Sequence, residues 1–158
     1  MDHHKDIVVA LDGSERSLVA VRWAAWQSQL TGDRLVVLHA FRIGPGQVDR
    51  GALRGATEAV HRAQATRWLR RALDETEAIP HALRLEVVEG SWYDVLRRVA
   101  ARSAGLVVLG VDPSRMPDVS HFGVPVVLVP TDVETASEDT ATARASRTSD
   151  RQLTAAYA

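Results

Sequence analysis

Cysteine is absent from the 158 residues, which excludes disulfides, thiolate zinc sites and a cysteine nucleophile. Lysine is almost absent: Lys5 is the only one among 19 basic residues. A phosphate-binding loop ending in Gly-Lys-Ser/Thr is therefore excluded. A receiver-type phosphoacceptor site at Asp12 lacks its lysine as well. There is no excess of charge of one sign; the net charge is −1. No field draws nucleic acid or an anionic membrane to the chain. No apolar run is long enough to span a bilayer. The first six residues are polar and carry no signal-peptide core, so a cytoplasmic location is expected. What remains is ordinary: 46% hydrophobic and 25% charged residues, enough for one domain with a full core.

Strands and helices alternate along that domain. Ile7 to Leu11 reads as a buried strand that runs into Asp12-Gly13-Ser14, an acid, a turn glycine and a helix cap. A helix to about Leu30 follows, with Val19, Trp23, Trp26 and Leu30 at helical spacing. Arg34 to Ala40 is a second strand. After the turn Gly44-Pro45-Gly46, a helix is predicted from about Gly51 to Ala78, with Leu53, Ala56, Val60, Ala63, Leu69, Ala72 and Leu73 as its apolar stripe and Pro80 as its stop. Leu83, Leu85 and Val87 alternate with charged residues, as in an outer strand. Ser91 opens a third helix through a capping-box pattern with Asp94, and Val95, Leu96, Val99 and Ala100 form its buried stripe. Leu106 to Gly110 is apolar throughout, the mark of a central parallel strand. Val126 to Val129, between Pro125 and Pro130, is the last strand.

The expected fold is a single doubly wound, five-stranded parallel α/β sheet with right-handed crossovers. Residues 1–130 form the domain. Residues 131–158 are polar and are expected to form a disordered tail, although Leu153 and Tyr157 are spaced for a short docked helix.

In such sheets ligands collect where strands end and helices begin. Asp12-Gly13-Ser14 and Gly110 are the two candidates for that place. Trp92, in the first turn of the third helix, is expected at its rim. Trp23, Trp26 and Trp68 fall on positions read as core. His3 and His4, adjacent at the terminus, make a weak metal pair, and no metal is expected. His39, at a strand end, reads as a structural histidine. Asp118, Ser120 and His121 lie too close in sequence to form a catalytic triad, which draws its partners from separate elements. Arg50, Arg54, Arg62, Arg67, Arg70 and Arg71 stand among Glu58, Asp74, Glu75 and Glu77, the pattern of a solvated, ion-paired helix face.

With these residues laid out, the chain resembles the universal stress protein family. Ile7–Ser14 resembles that family's first strand and loop, Ser17–Ala25 its first helix, and Leu35–Ala40 its second strand. Val88–Leu96, Leu106–Gly110 and Pro125–Val129 follow its second half. The resemblance implies the adenine nucleotide alpha hydrolase-like fold with strand order 3-2-1-4-5. It implies a site for ATP or AMP at Asp12, Gly13, Ser14, Ala40 and Gly110. It also implies a homodimer through Val126, Val127, Leu128 and Val129, an edge strand apolar on both faces. It implies a role in stress response or regulation.

The chain departs from the family in one place. Nucleotide-binding members carry Gly-x2-Gly-x9-Gly-Ser/Thr after strand four, and a helix follows. Here the second position is Pro113, and Gly123 is followed by Val124 and strand five. Only the thirteen residues Val111 to Gly123 join the strands, little more than the dozen or so a parallel crossover needs. A short helical piece near Pro117–Phe122 is the most they can hold. Proline removes an N–H, and the lost helix removes its dipole. Weak or absent ATP binding is therefore expected, with no cofactor and no catalysis. The expected mode of action is dimerisation and binding, including an unidentified protein partner. The alternative is an ATP- or AMP-binding sensor with weak ATPase activity. Apolar sheet surface beside strands four and five is expected to need cover from a partner, the dimer mate or the tail.

Overall fold

The computed structural model describes residues 5–44 and 50–131. The His3–His4 pair, Gly46 and the tail from residue 132 onward lie outside the described residues. The elements run β1 (Asp6–Ala10), α1 (Glu15–Thr31), β2 (Arg34–Phe41), α2 (Arg50–Asp74), β3 (Ala82–Glu89), α3 (Trp92–Ser103), β4 (Ala104–Val111) and β5 (Val126–Pro130). All pairings are parallel and the order is β3-β2-β1-β4-β5, as expected. β1 sits at the centre between β2 and β4, and Asp6 to Val9 are buried because both faces are covered.

Alternation along the strands sends residues to two cores. Ile7, Val9, Leu35, Val37 and Val108 face α1 and α2. Val8, Val36, Leu38, Val107 and Leu109 face α3. At the amino-terminal rim, Arg34 clasps Asp6 through two 2.9 Å bonds, and Ser103 donates to the same carboxylate. Burial would push the Asp6 carboxyl up; these donors outweigh it and hold it below the usual range.

α3 buries Val95, Leu96, Val99 and Ala100 as expected, whereas α1 and part of α2 differ from expectation in the face they bury. The buried stripe of α1 is Ser17, Leu18, Ala20, Val21, Ala24, Ala25 and Ser28, while Trp26 and Leu30 are exposed. Small residues let α1 lie close on the sheet, and the bulky indoles ride on its flanks. Ser28 is satisfied there: its hydroxyl donates to the Asp33 carbonyl (2.6 Å) and accepts from the His81 N–H (3.1 Å). α2 ends at Asp74, ahead of Pro80. Its inner face carries His61, Ala65, Trp68, Leu69 and Ala72, with Val60 and Ala63 turned outward. Ser91 occupies the N-cap of α3 but makes no capping bond through its side chain.

Between β4 and β5 there is no helix. Residues 116–119 have no regular structure and Ser120–His121 form a turn, with one backbone bond from Phe122 N–H to the Val119 carbonyl. Phe122 itself is 4% exposed and packs into the α3-side core against Tyr93, ring centroids 5.5 Å apart. This one side chain, with Val119 and Val124, stands where a crossover helix would lie. β5 remains half-buried along Val126–Val129.

Candidate functional site

The strand order reverses between β1 and β4, and the cleft expected at that switch point is present. It encloses about 570 Å³ and is lined by the ends of β1, β2 and β4, the first turn of α1, and Trp92. Asp12, Ser14, Ala40 and Gly110 all line it, so the topology brings these four sequence candidates together. Gly13 lies behind the lining, turned toward α2.

The Asp12 side is a closed hydrogen-bond ring. Asp12 Oδ1 accepts from the Ser14 N–H (2.9 Å) and hydroxyl (2.5 Å). Ser14 Oγ accepts from the Ser17 N–H (3.3 Å), the capping bond that starts α1. Ser17 Oγ donates to the Ser14 carbonyl (2.9 Å) and accepts from the Asp12 N–H (3.3 Å). Partial desolvation would push the carboxyl of the exposed Asp12 up. The Ser14 and Ser17 bonds and nearby Arg16 prevail and hold it below the usual range.

Two glycines of the site have structural duties. Gly13 has φ 83°, and a Cβ there would overlap the Trp68 indole. Gly110 lies against the first turn of α1, where a Cβ would overlap the Arg16 carbonyl.

Across the cleft, the β4 end repeats the Asp-x-Ser turn. Asp112 Oδ1 accepts from the Ser114 N–H (2.9 Å) and hydroxyl (2.7 Å). The Arg115 N–H donates to the Asp112 carbonyl (2.9 Å). Pro113 has no N–H to offer. Each amide from residue 113 to 115 is thus either absent or already bonded within the turn. The Asp112 carboxylate faces Arg16, 3.8 Å away. The Ser114 bonds, with Arg16 and Arg115 close by, hold it below the usual carboxylate range.

Sequence reasoning missed Asp112, Arg16 and Arg115 as cleft residues. The repetition of Asp-x-Ser at 12–14 and 112–114 was the available signal. Trp92 is found at the rim, half-exposed, as expected. A third Asp-x-Ser turn spends the Ser120 hydroxyl on Asp118 (2.6 Å), with His121 3.8 Å from the other carboxylate oxygen. No triad geometry forms.

Behind the Asp12 turn, His39 is buried and satisfied. Its Nδ1–H donates to the Leu11 carbonyl (2.8 Å), so its Nε2 accepts from His61 Nδ1 (3.0 Å). The ring meets Trp68 edge-on, and His61 stacks on Phe41. Burial pushes the His39 pKa down; the Leu11 bond opposes it and His61 adds to it. Arg54, Arg62 and Arg71 on α2 pair with Glu89, Glu58 and Glu75. Among the described residues no cluster of three or more His, Asp or Glu side chains could hold a metal, and no helix is long and apolar enough to cross a membrane.

An open parallel sheet with a cleft at its switch point, between β1 and β4, defines a Rossmann-like α/β domain. The chain belongs to the universal stress protein family, whose profile matches residues 3–117. Among solved structures it is similar to the universal stress protein UspA of Lactobacillus plantarum, at 20% identity over 80% of this chain and 97% of that one, TM-score 0.59. It is similar to a universal stress protein family member from Burkholderia pseudomallei, at 23% identity over 83% and 99%, TM-score 0.54. An Arabidopsis thaliana family protein with AMP bound matches at 14% identity over 82% and 93%, TM-score 0.54. These likenesses speak for the fold. No curated protein matches the chain significantly by sequence.

Proposed function

We propose that this universal stress protein acts in stress response or regulation by binding and dimerising, without tight ATP binding and without catalysis of its own. The observation that carries this reading is the hydrogen-bond state of the 112–115 turn. Phosphate recognition in such clefts needs free backbone N–H groups with a helix behind them. Here Pro113 offers none, Ser114 and Arg115 spend theirs inside the turn, and no helix follows. The Asp112 carboxylate stands where a triphosphate would bring more negative charge.

Isothermal titration of the full chain with Mg-ATP tests this. Heats that fit no affinity tighter than millimolar are expected; sub-millimolar binding would overturn the reading.

One observation favours a second reading, an ATP- or AMP-binding sensor with weak ATPase activity: the Arabidopsis relative of the same fold holds AMP. On that reading Asp12, Gly13, Ser14, Ala40 and Gly110 would meet the nucleotide. A nucleotide found by mass spectrometry in the purified protein would support it.

Dimerisation is assigned to β5. It is the sheet edge, its residues are half-buried on both faces, and unpaired edges recruit further strands. A second copy pairing there would also cover Val126–Val129.

A further inference from the structure

The cleft combines an apolar floor with a lip whose charges balance. Leu11, Leu38, Ala40, Leu109 and Val111 form the floor. Asp12 and Asp112 supply two negative charges at the lip, and Arg16 and Arg115 two positive ones. The positive charges are not spare. Arg16 pairs with Asp112, and Arg115 lies close enough to help hold that carboxylate ionised. A phosphate entering would have to draw an arginine away from Asp112 or sit beside it as a like charge. Neither cost falls on an uncharged ligand.

The carboxylates suit a ligand with hydroxyl donors. Asp12 takes both Ser14 bonds on Oδ1, and a carboxylate has roughly four lone-pair sites in all. Asp112 likewise takes both Ser114 bonds on Oδ1, while its Oδ2 faces Arg16 at 3.8 Å. The volume of about 570 Å³ falls in the middle of the range for small-molecule pockets, roughly 300–1,000 Å³. The half-exposed Trp92 offers a flat aromatic wall at the rim.

We propose that this cleft takes uncharged nucleosides in preference to their phosphates, with Asp112 as the residue that discriminates against the phosphate. This rests on the reading above that the turn after β4 does not grip phosphate. Asp112 is a specificity residue here because its charge, and not only its shape, faces the entering group. Asp112→Asn keeps the oxygen that accepts from Ser114, removes the charge and frees Arg16.

The test is titration of the full chain with adenosine, AMP and Mg-ATP, for wild type and Asp112→Asn, with circular dichroism to show that both are folded. Adenosine should bind wild type more tightly than AMP, by about tenfold, and Asp112→Asn should narrow the gap by a similar factor, as expected for one like charge several ångströms away at intermediate dielectric. AMP binding as tightly as adenosine, with Mg-ATP still weak, would overturn this inference and leave the earlier reading standing. Sub-millimolar Mg-ATP would sink both. Loss of adenosine and AMP binding alike in wild type would overturn the nucleoside assignment. An unchanged adenosine-to-AMP ratio in Asp112→Asn would remove Asp112 from the role.

Discussion

Gly110 of β4 lies so close to α1 that any side chain there would run into the backbone carbonyl of Arg16. The contact sets how near the first turn of α1 sits to the cleft. A glycine at this position would be read from sequence as a phosphate-loop residue. In the fold it also serves close helix–strand packing.

Gly110→Ala should therefore destabilise the protein with or without ligand. Overpacking against backbone, which cannot swing away, costs about 1–3 kcal/mol. Urea unfolding in ligand-free buffer measures it. A change below the error of the fit would mean α1 shifts at no cost, and the packing role would be lost.

Phe122 should behave as a core residue although it sits in a loop. It is 4% exposed and takes the place of a crossover helix. Phe122→Ala should cost about 3–5 kcal/mol and increase binding of a hydrophobic dye as the β4–β5 face opens. Wild-type thermal stability in this variant would show that the connection covers nothing essential.

His39 makes stability pH-dependent near neutrality. Its pKa in the fold lies below its ordinary value of 6.5, mainly through burial, while the unfolded chain titrates near 6.5. Between those two values the unfolded state holds more protons, so stability rises with pH. The contribution is fully present above 6.5 and is lost as pH falls through 6.5 toward the folded value. Facing groups are His61 and Trp68 of α2, the Leu11 carbonyl and the Asp12 charge. Imidazole NMR resonances should show one histidine that protonates only below 6.5. A His39 midpoint above 6.5 would reverse the sign.

Dimerisation should be broken by Leu128→Pro rather than by proline at Val127. The Val107 N–H donates to the Pro125 carbonyl (3.0 Å). The even spacing of a parallel ladder then turns the Val127 N–H inward to β4 and the Val126 and Leu128 N–H groups to the open edge. Proline is tolerated on an edge strand only where its missing N–H faces outward. Light scattering at micromolar concentration should give a dimer for wild type and a folded monomer for Leu128→Pro. A wild-type monomer would discard the interface.

Local patterning carried much of this protein. The five strands, three helices and the candidate residues of the cleft could be read from apolar runs, helical spacing and caps, because these follow from backbone geometry and burial; the strand order was implied by the family resemblance. The loss of the fourth helix was legible from Pro113, Pro117 and a connection of thirteen residues. The buried face of α1 was not. Its small residues were passed over for Trp23, Trp26 and Leu30, because sequence shows hydrophobicity but not how closely two backbones approach.

The sequence alone therefore determined the order of elements and an acidic lip at Asp12, since both depend on residues near one another along the chain. The tertiary structure decided the rest. It set Asp112 opposite Asp12, tied Arg16 to it, gave Gly13 to Trp68 and Gly110 to Arg16, and joined His39 to His61. Those pairings join residues on separate elements, and only the packing of helix against sheet fixes which of them meet.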